Sequence, residues 1–249
     1  MSHSRLRPYK FRLHFPGLGA EPVVEVFVLA AIGLGLLLPG LVRLLPGSGA
    51  LPGIAALTGF VLATGLAASA LRRAYPHDRL GLCNLVTLFR LALVMALIAP
   101  VMSGAGASWA VLVVAVLALS LDGIDGWLAR RQNLVSGFGA RFDMEVDSAL
   151  ALLLAVSAAI THEAPAIVIL LGLPRYLFIA AARLWPWLGH ALPDRFSRKA
   201  VCVLQIAVLI ALQVPGLPDA LAVGLAGVAA LAVAWSFGVD VLWLRRQRE

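Results

Sequence analysis

The chain has 249 residues, of which 61% are hydrophobic and only 13% charged, and its mean hydropathy is +0.93. Soluble domains carry roughly 25% charged residues, so a soluble globular fold is excluded and a polytopic membrane protein is implied. The net charge of +7 would suit nucleic acid, but its placement between apolar runs marks membrane topology, and no nucleic-acid partner is expected.

In chain order, residues 1–21 form a basic, polar N-terminus with Arg5, Arg7, Lys10 and Arg12. Residues 1–13 lack the short apolar stretch and small-residue site of a cleavable signal, so the following apolar run is expected to stay as a span. A helical span needs about 20 mostly apolar residues. Such runs lie at 22–45, 50–70, 84–101, 107–128, 141–161, 165–182, 199–214 and 218–243, which makes eight expected spans. Turn-forming stretches separate them, including Pro46-Gly47-Ser48-Gly49 and Val214-Pro215-Gly216-Leu217-Pro218. Residues 71–83 read either as a basic amphipathic segment on the membrane surface or as a plain loop. Cys83 and Cys202 are isolated from each other and read as small apolar filler.

Basic residues sort the connections. Arg72, Arg73 and Arg79 follow the second run, and Arg130, Arg131 and Arg141 lie between the fourth and fifth. Arg183, Arg195, Arg198 and Lys199 lie between the sixth and seventh, and Arg245, Arg246 and Arg248 close the chain. Of the opposite connections, only the first carries an arginine, Arg43. Both termini are therefore expected on the cytoplasmic side of the cell (inner) membrane, a parity that eight spans satisfy.

Four carboxylates interrupt these apolar runs. Charge at membrane depth is costly and is a functional-site hypothesis by default. At 100° per residue, Asp122, Asp125, Gly126 and Ala129 share roughly a 100° arc of one helix. Asp143 and Asp147 are one turn apart on the next, with Gly139 one turn before them. Four carboxylates in low dielectric stay ionised only with cations among them. Oxygen ligands select Mg²⁺, Mn²⁺ or Ca²⁺ rather than zinc, and paired cations suit phosphoryl chemistry. Glu145 points away from the Asp143/Asp147 face and suits an ion pair, while Asp240 is expected to pair with a terminal arginine. Gly33-Leu-Gly35 lies mid-span and forms no nucleotide loop, and His162, with only Glu163 beside it, makes no metal site.

The series Asp122-x2-Asp125-Gly126-x2-Ala129-Arg130-x8-Gly139-x3-Asp143-x3-Asp147 fixes eight residues across 26 positions. It resembles the signature of the class I CDP-alcohol phosphatidyltransferase family with no position missing. Asn84-x2-Thr87-x2-Arg90 resembles, more weakly, the motif that opens the family's first span. The resemblance implies an all-α integral membrane fold: a six-helix transmembrane catalytic core over 84–243, preceded by two extra N-terminal transmembrane helices over 22–70 and followed by a basic tail at 244–249. It implies Mg²⁺ or Mn²⁺, two ions, on Asp122, Asp125 and Asp143 with Asp147 sharing. It also implies Asp147 as general base toward the acceptor alcohol, whose oxygen attacks the β-phosphorus of CDP-diacylglycerol as CMP leaves. Gly126, Ala129, Arg130 and Gly139 match positions lining the cytidine nucleotide site. A homodimer among membrane lipids is implied in the same way.

The acceptor depends on residues outside the signature. Arg175, Arg183, Arg198 and Lys199 are candidates to bind an acceptor phosphate, as in glycerol 3-phosphate or inositol phosphate. Their spacing, with Gln205 beyond, faintly resembles phosphatidylglycerophosphate synthases. It departs at Tyr176, where those enzymes tend to be acidic, and at Arg198-Lys199-Ala-Val-Cys202, where a Gly-Lys-x-Lys-Thr run is expected. Glycerol 3-phosphate is the leading candidate, with serine, inositol and phosphatidylglycerol open. A cation pathway is the rival from the transporter class. It requires polar residues across the full bilayer, whereas here they gather at one end. A catalytically silent scaffold is the third reading, and the intact motif opposes it.

Overall fold

The computed structural model describes residues 20–162, 165–190, 192–193 and 195–247. Arg5, Arg7, Lys10, Arg12, Glu163 and Arg248 lie outside the described residues. The helices are α1 (Ala20–Arg43), α2 (Ala50–Ala74), α3 (Gly81–Ala96) and its short continuation α4 (Ile98–Met102), α5 (Trp109–Arg131), α6 (Gly137–Thr161), α7 (Pro165–Gly172), α8 (Pro174–Leu184), α9 (Phe196–Ala211) and α10 (Asp219–Arg246). No strand occurs among the described residues. The protein is an all-α membrane protein.

Among the described residues, six stretches are long and apolar enough to cross a bilayer: Pro22–Arg43, Ala50–Ala74, Gly81–Met102, Trp109–Arg131, Gly137–Thr161 and Asp219–Arg246. The other two expected spans take a different form. The run at 165–182 is split into α7 and α8 around Leu173, because Pro174 has no N–H to donate into the preceding turn. The break strands carbonyls at the end of α7, and Gln205 Nε2 on α9 donates to the Leu171 carbonyl at 2.6 Å. Gly172 makes this junction possible: a Cβ there would lie 2.8 Å from Ala155 Cβ and 2.9 Å from Leu152 Cα on α6. The run at 199–214 is the 16-residue α9, about 24 Å at 1.5 Å per residue, against a hydrocarbon core of about 30 Å.

Residues 71–83 do not form a separate surface helix. α2 runs on through Arg72 and Arg73 to Ala74, a short linker follows, and α3 begins at Gly81. Tyr75 braces the linker, with its hydroxyl 3.0 Å from the Arg79 and Leu80 carbonyls. Burial pushes that hydroxyl up to about 12, so it remains a donor near neutral pH.

α3 is the central helix and packs against α1, α2, α5 and α6. The two N-terminal helices lean on the outer face of α3 and on α6. Phe27 of α1 meets Phe142 of α6 edge-on at 5.9 Å, and Phe142 stacks on Phe138. At the opposite end of α6 from its N-terminus, Ser157 donates to Gln213, and His162 bonds Asp219 and the Leu212 carbonyl. These contacts close α6 onto the segment between α9 and α10.

Candidate active site

The site is built where α3, α5 and α6 converge. α5 brings Asp122 and Asp125 to one face and ends beyond Arg131, where Asn133 adopts φ 56° and the Leu134 N–H closes back on the Ala129 carbonyl at 2.9 Å. α6 starts at Gly137, five residues separating it from α5, and Ser136 caps it by accepting from the Gly139 N–H at 3.0 Å. This tight connection sets Asp143 and Asp147 opposite the α5 pair.

Arg90 of α3 lies between the two pairs and is fully buried, at 0% exposure. Its Nη2 is 2.9 Å from Asp122 Oδ1 and also engages Asp147 Oδ1, while Nη1 engages Asp125 Oδ2 at 2.8 Å and Asp143 Oδ1. Its Nε donates to the Ala118 carbonyl at 3.0 Å. Asp125 is buried and also receives Thr87, whereas the side chains of Asp122, Asp143 and Asp147 are 34%, 37% and 41% exposed. Asp122, Asp143 and Asp147 each offer an oxygen within 4.8 Å of the others. An all-carboxylate donor set, open on one side and only partly balanced by a single guanidinium, fits hard divalent cations.

Beside the carboxylates runs a cleft of about 270 Å³. Gly126, Ala129, Arg130 and Gly139 all line it, together with Asn84, Thr87, Asp125 and Asp143. A Cβ on Gly139 would stand 3.2 Å from Ser136 Oγ and 3.5 Å from Asn84 Oδ1. Asn84 is buried and fixed, with Nδ2 donating to Tyr75 Oη and the Leu80 carbonyl. The cleft thus has a polar floor from α3 and walls of small residues from α5 and α6. A family model described as CDP-alcohol phosphatidyltransferase matches residues 80–239, well over half of the chain and the whole of this site.

The chain belongs to the CDP-alcohol phosphatidyltransferase family. It is accordingly an enzyme that transfers a substituted phosphate group from a CDP-alcohol to an alcohol acceptor. Divalent cations are the family's cofactors. No curated protein and no solved structure matches the chain. α1 and α2 precede the residues matched by the family.

The candidates for the acceptor phosphate are distributed differently. Arg175 turns to Glu145 on α6 and touches Met144, on the side of α6 away from Asp143 and Asp147. Arg183 is exposed on the last turn of α8. Arg198 is engaged by Asp240 at 2.8 Å, as is Arg195. Asp240 therefore pairs with the segment leading into α9 rather than with a terminal arginine, because its buried position on α10 faces that segment. Lys199 follows in the first turn of α9. The hub role of Arg90 was the main site feature that sequence reasoning missed. Its signal was there: Asn84, Thr87 and Arg90 recur every three residues in a span that is otherwise apolar over 81–96.

Proposed function

We propose that the protein transfers the phosphatidyl group of CDP-diacylglycerol to a small alcohol with release of CMP, using two Mg²⁺ or Mn²⁺ ions, in phospholipid biosynthesis. The observation that carries this reading is the meeting of four carboxylates from α5 and α6 beside the cleft lined by Gly126, Ala129, Arg130 and Gly139. Asp122, Asp125, Asp143 and Asp147 would hold the cations, which supply charge neutralisation to the diphosphate and to the departing CMP. The small residues admit the nucleotide, and Arg130 offers a guanidinium fork to phosphate oxygens. Arg90 engages Asp147 through Oδ1, so Oδ2 is the oxygen that takes the acceptor's proton. The alcohol oxygen forms the new bond to the β-phosphorus, the bond from that phosphorus to the CMP oxygen breaks, and CMP leaves with the electron pair.

For the acceptor we infer glycerol 3-phosphate, supported by Arg183 at the end of α8 and Lys199 in the first turn of α9. The ion pairs Arg175–Glu145 and Arg198–Asp240 favour a second reading, an acceptor without a phosphate such as serine or inositol. The basic connections support placing the site and both termini on the cytoplasmic side, and family membership supports a homodimer. The test is CMP release and product mass spectrometry with CDP-diacylglycerol, a panel of acceptors, and Mg²⁺, Mn²⁺ or chelator. One acceptor should yield a new lipid only with cation, and Asp147→Asn should abolish it. No CMP release with any acceptor, or an active Asp147→Asn, would overturn the reading.

A further inference from the structure

We propose that Arg90 is the positioning residue of the carboxylate site, an internal cation that fixes the four aspartates relative to one another and moderates their pull on divalent cations. The proposal rests on the reading of those aspartates as cation ligands. Its geometric basis is the range of one guanidinium, whose N–H donors form a rigid fork. Four hydrogen bonds run from it to Asp125, Asp143, Asp147 and the Ala118 carbonyl, and Asp122 adds an ion pair at 2.9 Å. The acceptors come from α5 and α6, and the donor from α3, so the side chain ties three helices at one point.

Charge gives the second half. Four carboxylates against one guanidinium leave three negative charges unbalanced. That remainder still demands divalent cations, but less strongly than four would. Arg90 is fully buried behind the cluster, while Asp122, Asp143 and Asp147 are partly open on the other side. Cations therefore reach Asp122, Asp143 and Asp147 without Arg90 leaving, and the guanidinium engages one oxygen of each of these three while the other stays open. No shorter or single-pointed side chain does this. A lysine offers three donors from one nitrogen and cannot serve four carboxylates and a carbonyl together.

The test uses the full-length protein in lipid nanodiscs, with Arg90→Lys and Arg90→Gln. Three readouts are taken: Mn²⁺ affinity by electron paramagnetic resonance of the free ion, thermal denaturation in chelator and in Mn²⁺, and CMP release at saturating Mn²⁺. Arg90→Gln should be less stable in chelator, should regain more stability from Mn²⁺ than the parent does, and should bind Mn²⁺ about tenfold more tightly. Its kcat should fall by about 100-fold with little change in KM, as expected for misplaced reacting groups. Arg90→Lys keeps the charge and so supports folding; its Mn²⁺ affinity should stay near that of the parent while kcat still falls at least tenfold.

A purely structural Arg90 would lower stability alone. Parent-like kcat in Arg90→Lys, or Mn²⁺ binding that is unchanged or weaker in a folded Arg90→Gln, overturns the proposal. Parent protein that binds Mn²⁺ but releases no CMP overturns the transferase reading instead, and the Arg90 proposal is then decided by the binding and denaturation results.

Discussion

Thr87 and Arg90 converge on a single atom: Thr87 Oγ1 and Arg90 Nη1 each donate to Asp125 Oδ2 at 2.8 Å. Asp125 is the most enclosed of the four aspartates, so its hydrogen bonds replace water that cannot reach it. Thr87→Val keeps the shape and removes one donor to a buried charge, which costs about 2 kcal/mol. We expect a lower unfolding temperature and a fall of about tenfold in CMP release, with Thr87→Ser near the parent. Equal stability and turnover in Thr87→Val would show that Arg90 alone holds Asp125.

How far the site could be read from the sequence follows from the range of the forces involved. Asp122, Asp125, Asp143 and Asp147 stood out because helical spacing and the cost of charge in lipid are local properties. The cleft residues Gly126, Ala129, Arg130 and Gly139 followed from the same two helices. The partner of Arg175 was not legible, because Glu145 lies 30 positions away on another helix. Asp240 misled for the same reason: its partner Arg198 is 42 positions distant, and the nearer terminal arginines looked sufficient. The interruption of 165–182 was visible as Pro174, but apolarity outweighed it. The repair by Gln205 depends on tertiary packing and leaves no local trace.

The N-terminal helices are fastened to the helix that carries Asp143 and Asp147. Phe27 is fully buried, and its ring rests edge-on against Phe142, one residue before Asp143. Phe27→Ala should leave a cavity and cost about 3 kcal/mol. A drop in unfolding temperature together with a several-fold loss of CMP release would mark α1 as a support of α6. An unfolding temperature equal to that of the parent would show that α1 only accompanies the core.

Asp240 holds Arg195 and Arg198 from a buried position on α10. Both arginine side chains are partly exposed, at 22% and 28%, so solvent screens part of each interaction. Removing a buried partner costs more than the pair is worth, and with that screening we expect about 2 kcal/mol for Asp240→Ala. Thermal denaturation of Asp240→Ala and of the double variant Arg195→Ala/Arg198→Ala should both show the loss. If the double variant is stable while Asp240→Ala is not, the carboxylate has another role than anchoring the start of α9.

The two glycines of the cleft should respond unequally to the same methyl group. At Gly126 a Cβ would meet only Arg130 Nη1, at 3.5 Å, an ordinary contact with the end of a flexible side chain. At Gly139 it would stand 3.2 Å from Ser136 Oγ, which caps α6, and 3.5 Å from Asn84 Oδ1, which is locked by Tyr75 and the Leu80 carbonyl. The Asn84 contact is ordinary, but Ser136 Oγ cannot yield without loosening the cap, and the loss of a cap alone costs about 1 kcal/mol. Gly139→Ala should therefore lower stability and raise KM for CDP-diacylglycerol by about tenfold. Gly126→Ala should leave stability intact and change KM by less, through a displaced Arg130. Steady-state CMP release and thermal denaturation of the two variants provide the comparison. Equal effects at both positions would mean that the nucleotide, rather than the packing of α6 on α3, sets the size limit at Gly139.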